Sequence, residues 1–253
     1  MPELPEVETV KNGLKKKILN KKITDCKVLY HGIIAYPDKE KFIKNILNQT
    51  INDIKRRGKF LLFELDDYYL ISHLRMEGKY FIKEPKETLN KHDHVIFVLN
   101  DKEELRYNDT RKFGKMHLVK KEELEISPLS KLGLEPWDKS LTKEYLKDKL
   151  NKNKAIKTLL LDQSIITGIG NIYADEILFL SKINPETIGS KLTDKNREEI
   201  IKELTGELDS SCVDFGQEQS ELFDRLAMCD EELMQQYLEA GCLQEASVVR
   251  AIY

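Results

Sequence analysis

The sequence predicts an α+β protein built from two units and an acidic extension. Between residues 23 and 119 run short segments rich in β-branched or aromatic residues, divided by Gly, Asp or Asn turns; such a pattern belongs to a β-sandwich or barrel. From Leu141 the apolar residues recur at helical spacing instead. Between the two patterns "SPLSKLGLEPW" supplies two prolines and a glycine, the composition of a linker.

The chain opens with "MPELPEVETV", and an amphipathic helix is expected through about Asn20. Proline is tolerated in a first helical turn, and acids there complement the helix dipole. The same residues also have a chemical reading. Removal of Met1 would leave Pro2 with a secondary amine, and an α-amino group has a pKa of roughly 7.7–8.0. Its neutral fraction is a nucleophile that forms Schiff bases with sugar or carbonyl carbons. Glu3 and Glu6 stand close enough in sequence to handle protons or hold the amine.

The expected strands follow as "ITDCKVLY", "INDIKRR", "KFLLFEL", "YYLISHL", "HVIFVL", "ELRYN" and "KMHLV". Helices are expected at "LTKEYLKDKL", "AIKTLLLDQ", "NIYADEILFLSKI" and, after Pro185, "TDKNREEIIKEL". The domain boundaries that result are 1–130 for the β-sandwich, 131–139 for the linker, 140–205 for the helical unit and 206–253 for the tail.

With 253 residues there is room for two modest cores, and no long apolar run or signal-peptide pattern is present. Cysteines at 26, 212, 229 and 242 lack disulfide-type spacing, as suits a reducing cytoplasm. The net charge of −3 conceals an asymmetry: residues 206–253 hold 11 acids and 2 bases, so the remainder carries +6. A basic body suggests a polyanionic partner.

Further stretches carry candidate chemistry. "RRGKFLLFEL" places Lys59 at a strand entry, and "SHLRMEGKY" puts Met76 in a turn. "YNDTRKFGK" offers Arg111 to pair with an unpartnered base edge and Phe113 to wedge into a base stack. "DQSIITGIGNIYADEILF" sets Gly168, Gly170 and Asn171 at a helix start, where backbone amides can approach a phosphate.

In this order and spacing, these stretches closely resemble the bacterial formamidopyrimidine-DNA glycosylases over roughly residues 1–204. The resemblance implies a β-sandwich joined to a helix–two-turn–helix DNA-binding domain, acting as a monomer on double-stranded DNA that contains a damaged purine. It implies Pro2 as nucleophile, Glu3 as its acid partner and Lys59 assisting strand cleavage, and Glu6 joins this catalytic set by its closeness in sequence. Met76, Arg111 and Phe113 match the trio that fills the gap left by the extruded nucleotide. His92 and Arg111 match DNA-contacting positions, and Asn171, after Gly170, matches the phosphate-binding asparagine. Where the family often carries a basic contact this chain has Asn153, so Lys152, Lys154 or Lys157 is expected to substitute.

The resemblance implies excision of 8-oxoguanine and formamidopyrimidines, followed by AP lyase cleavage through a Pro2 imine. It stops after about Leu204. The family's zinc finger uses two CxxC pairs, and this chain has none, so no cofactor is expected. In its place "DEELMQQYLEAG" resembles a short segment of elongation factor G-like translation factors, as though joined by gene fusion or by an assembly artefact. Loss of the finger should impair activity; the alternatives are a non-catalytic DNA-binding remnant and a chimeric product. A bacterial cytoplasm is the expected location.

Overall fold

The computed structural model describes residues 2–206. Helix α1 (Leu4–Ile18) begins the chain and buries Val7, Val10, Leu14 and Ile18. Their spacing of three and four residues sets them on one face, while Lys15, Lys16 and Lys17 in the last turn complement the negative end of the dipole.

The β-rich half contains β1 (Ile23–Val28), β2 (Ile34–Tyr36), β3 (Asp53–Arg57), β4 (Phe60–Glu64), β5 (Tyr68–His73), β6 (Lys79–Lys83), β7 (Asp93–Leu99), β8 (Glu104–Asn108) and β9 (Lys115–Lys120). They form a four-stranded sheet in the order β1-β7-β8-β6 and a five-stranded sheet in the order β2-β9-β5-β4-β3. Leu61, Phe63, Leu70, Met116 and Leu118 from the larger sheet share one core with Val95, Phe97, Leu105 and Tyr107 from the smaller. The fold is therefore the expected β-sandwich.

Side chains alternate across a strand, so the unbroken run "FLLF" needs apolar surroundings on both faces. It has them. Leu61 and Phe63 enter the main core, while Leu62 joins Ile71 and Val119 on the opposite face beneath Leu124 and Leu129.

Three elements were not anticipated. Helix α2 (Lys39–Ile46) buries only Phe42 and Ile46, too few to show a period; Asp38 starts it by accepting the Lys41 N–H at 2.9 Å. Strand β2 is three residues long. Strand β6 lies at a sheet edge with only Tyr80 buried and lysines at both ends, the usual protection of an edge.

The helical half contains α3 (Lys143–Leu150), α4 (Ile156–Leu160), α5 (Asn171–Leu180) and a further helix over residues 194–206. Leu146, Leu150, Ile156, Leu160, Ile177, Leu178, Ile200 and Leu204 meet in its core. Helix α4 is shorter than its apolar pattern because Asp162 turns the chain, accepting the Ser164 N–H at 3.0 Å. Residues 207–253, which hold the translation-factor-like stretch together with Cys212, Cys229 and Cys242, lie outside the described residues.

Candidate active site

The two halves meet where the start of the chain touches the turn before α5. Leu4 donates its N–H to the Gly168 carbonyl at 3.1 Å. The Glu3 carboxylate then caps α5: Oε2 accepts the Gly170 N–H at 2.7 Å and the Tyr173 N–H at 3.4 Å, and Oε1 accepts the Ile172 N–H at 3.1 Å. An anion suits this place, since unpaired amides and the helix dipole converge there.

The turn must be glycine-rich to permit the approach. Gly168 has φ +97, and a Cβ on Gly170 would lie 2.2 Å from the Glu3 carboxyl carbon. On the other side, the Glu3 N–H donates to Glu6 Oε2 at 2.8 Å. Pro2 is buried just ahead of this carboxylate.

The expectation that the α5 amides receive a phosphate therefore does not extend to the three that Glu3 occupies. The amides of Gly170, Ile172 and Tyr173 are taken by Glu3, which leaves the exposed Asn171 as the polar group presented outward at this helix start.

Lys59 is only 4% exposed. Burial pushes its amine below the usual lysine range, while the negative charges of Glu3 and Glu6 oppose that shift. Lys59, Glu3 and Glu6 thus form one charged group, and Glu3 follows Pro2 directly in the chain. Its neighbours Arg56 and Arg57 are structural. Arg56 binds Glu8 Oε2 at 2.8 Å and Glu135 Oε2 at 3.1 Å, Arg57 binds Glu135 Oε1 at 3.1 Å, and the Gly58 N–H donates to Glu135 at 2.8 Å. These bonds tie the 133–137 segment to the sandwich.

His73 pairs across the sheet with Phe60 and accepts the Arg75 N–H on Nδ1 at 3.0 Å. Burial pushes its pKa down to about 3, with the positive charges of Arg75 and Lys59 adding to the effect. The unfolded chain therefore takes up a proton near pH 6.5 that the folded chain refuses. Stability is full above that pH and declines as pH falls toward 3, by at most about 1.4 kcal/mol per pH unit. The variant His73→Gln is expected to flatten this acid slope in urea titrations run between pH 4 and 7. An unchanged slope would mean the histidine is protonated in the folded protein.

The turn that His73 braces carries Met76, which is 39% exposed. A second turn, between β8 and β9, carries Arg111 and Phe113, with the guanidinium 5.2 Å from the phenyl centroid. Both are exposed. Asp109, fully buried, organises this second turn: Oδ1 accepts the Arg111 N–H at 3.0 Å and Oδ2 the Gly114 N–H at 2.8 Å. The carbonyl of half-buried His92 accepts the Asp109 N–H at 3.0 Å. His92, Arg111 and Phe113 thus belong to one loop cluster.

The lysine positions divide. Lys154 is exposed, as is Lys152. Lys157 is ion-paired with Asp175 at 2.7 Å, so its charge is partly spent within the protein. Asp109, Glu135 and Gln163 escaped the sequence reading. Gln163 accepts the Gly168 N–H at 2.8 Å and donates to the Ile169 carbonyl at 2.8 Å, shaping the turn before α5. The only advance signals were an Asn-Asp pair before "TRKFG" and an Asp-Gln pair before "SIITGIG".

Among the described residues no group of three or more His, Cys, Asp or Glu side chains is placed to hold a metal ion. Cys26 is buried in β1, and burial, aided by the Asp25 charge, pushes its thiol up to about 12. These residues do not fit a zinc site. Also among the described residues, no helix is long and apolar enough to cross a membrane.

Comparison with known proteins covers both halves of the chain. The Formamidopyrimidine-DNA glycosylase N-terminal domain matches residues 1–116, and the Formamidopyrimidine-DNA glycosylase H2TH domain matches residues 132–223. A formamidopyrimidine-DNA glycosylase of Ligilactobacillus salivarius is 52% identical over 211 residues, covering 81% of this chain and 76% of that protein. One from Bacillus subtilis is 48% identical over 219 residues, covering 85% and 79%. Among solved structures, Lactococcus lactis Fpg in complex with abasic-site DNA superposes with a TM-score of 0.79 at 38% identity, covering 83% of this chain and 78% of that one. With the two halves matched in order and relatives near half identical, the chain belongs to the formamidopyrimidine-DNA glycosylase family.

Proposed function

We propose that this chain is a bifunctional DNA glycosylase and AP lyase of base-excision repair, removing oxidised purines such as 8-oxoguanine and formamidopyrimidines from double-stranded DNA. One observation carries the reading: the Glu3 carboxylate, next to Pro2 in the chain, is seated on the α5 amides and shares its electrostatic surroundings with buried Lys59, while its own N–H is held by Glu6. Support comes from relatives that share both halves and from Lactococcus lactis Fpg structures holding abasic-site and Fapy-dG DNA.

A base inside a duplex shields its sugar carbon, so the damaged nucleotide is first extruded. The neutral Pro2 nitrogen, freed by loss of Met1, attacks C1′. The C1′–N bond breaks, and the base leaves with the electron pair and a proton. Glu3, Glu6 and Lys59 hold and move the protons of this step. Opening of the sugar ring gives an iminium ion, whose positive charge acidifies the C2′ hydrogen. Its removal forms a C2′–C3′ double bond and expels the 3′ phosphate, cutting the strand.

Met76, Arg111 and Phe113 would fill the emptied stack, and His92, Lys154 and Asn171 would contact the backbone. Lys157 would join them only by leaving Asp175. We read the chain as working without the family's zinc finger, because it has no CxxC pair. We place the protein, as a monomer, in a bacterial cytoplasm, and read the acidic 206–253 tail with its translation-factor-like stretch as a joined segment that weakens DNA binding. That tail also favours a second reading, a DNA-binding remnant without turnover.

The test is reductive trapping. Protein processed to Pro2 is incubated with abasic-site DNA and borohydride, and a covalent complex is expected. The variant Pro2→Gly should trap at a small fraction of that yield. Full trapping by the variant would remove Pro2 from the role, and no trapping by the parent would favour the remnant.

A further inference from the structure

The loop holding Met76 and the loop holding Arg111 and Phe113 stand on the same buried side chain. Tyr107 is fully buried in β8. A Cβ on Gly78, which closes the first loop, would lie 2.3 Å from its hydroxyl, and a Cβ on Gly114, which closes the second, would lie 1.6 Å from it. Both glycines are bare because the phenol occupies the space between them.

The hydroxyl is not idle there. It donates to Asp109 Oδ2 at 3.5 Å, and that carboxylate holds the second loop by the amides of Arg111 and Gly114. Burial, followed by the neighbouring Tyr80 and Asp109, pushes the phenol well above the ordinary tyrosine range, so it remains a donor. The Tyr107 ring packs edge-on against Tyr80 at 5.2 Å, and the Tyr80 hydroxyl donates to Ser72 Oγ at 2.8 Å. Ser72 lies on β5 immediately before the first loop. On the other side, His94 Nε2 is 2.8 Å from the Asp109 carbonyl, which binds the His92 segment to the same centre.

We propose that Tyr107 and Asp109 are positioning residues that lock the Met76 loop and the Arg111–Phe113 loop into one register, so that the wedging side chains enter the DNA together. The proposal rests on the glycosylase reading above but concerns its extrusion step alone. Neither residue belongs to the group around Pro2, so chemistry on a sugar that has already lost its base does not need them.

The experiment separates the two steps with the full chain. Excision of 8-oxoguanine from a duplex requires extrusion, whereas borohydride trapping on a single strand with a preformed abasic site does not. In Tyr107→Phe the ring stays and only the hydroxyl is lost. It is expected to slow single-turnover excision at least tenfold while trapping on the single strand stays within twofold. Asp109→Asn, which keeps one acceptor oxygen, should fall between the parent and Asp109→Ala. In a Met76→Ala/Phe113→Ala background, Tyr107→Phe should cost much less than it does in the parent, because two of the three side chains it positions are gone.

Equal loss in both assays would mean general damage to the fold, and unchanged excision would mean the loops hold their register unaided. Additive loss in the triple variant would also overturn the proposal. A parent that neither excises nor traps would instead remove the glycosylase reading itself, a distinct outcome.

Discussion

Replacing Gly170 with alanine is expected to lower excision by about 100-fold or more, the scale on which a misplacement near 1 Å acts on a reacting group. The added Cβ would lie 2.2 Å from both the carboxyl carbon and Oε1 of Glu3 and 2.6 Å from Oε2. Neither group can simply swing aside, because the carboxylate is held by three amides and Gly170 is itself one of the donors. Either Glu3 leaves the helix or α5 shifts, and in both cases residue 2 loses its seat.

Stability should fall as well, by at least about 1.5–3 kcal/mol for a lost hydrogen bond to a charged acceptor. Single-turnover excision and thermal unfolding of Gly170→Ala measure both effects. Wild-type excision in this variant would show that the α5 contact does not set the position of Pro2.

Loss of the buried amine at residue 59 should be nearly as severe. In Lys59→Met the apolar stem is preserved, but Glu3 and Glu6 lose the cation that faces them. Proton transfer by a positioned side chain contributes about 10²–10⁴-fold, so excision should fall into that range. The pH profile carries the sign. The ammonium form is the one that pairs with the two acids, and burial lowers the pH at which it is lost below 10.5. The alkaline limb of excision is therefore expected to begin below that pH and to be missing from the residual activity of Lys59→Met. An identical alkaline limb in parent and variant would assign it to another group.

The sequence disclosed what is periodic or local. Helices in the second half were legible because residues such as Leu146, Leu150, Ile177 and Ile200 repeat at helical spacing around a single core. The sandwich strands were legible because most have two or more buried apolar positions, whereas β6 buries only Tyr80 and α2 only Phe42 and Ile46.

Pro2, Glu3 and Lys59 were nameable through the family resemblance. That Glu3 would take the amides of a helix 167 residues away was not, because such a contact exists only after folding. Asp109 and Glu135 were hidden for the same reason: a surface aspartate and the carboxylate that organises a loop read alike in sequence. Lys157 illustrates the converse, since its motif marks a basic position but only the fold supplies Asp175.

The burial of Pro2 sets a timetable for making the protein. Its nitrogen is an amide until Met1 is removed, and in the folded chain residue 2 is already enclosed beneath a carboxylate bound to residues 170–173. A ribosome adds about 5–20 residues per second, so the docking turn emerges roughly ten to thirty seconds after the N-terminus. Methionine removal has its open access to the chain in that interval. A molecule that folds first must expose the buried Pro2 again before the bond ahead of it can be cut. The yield of the free Pro2 amine then depends on the order of methionine removal and folding.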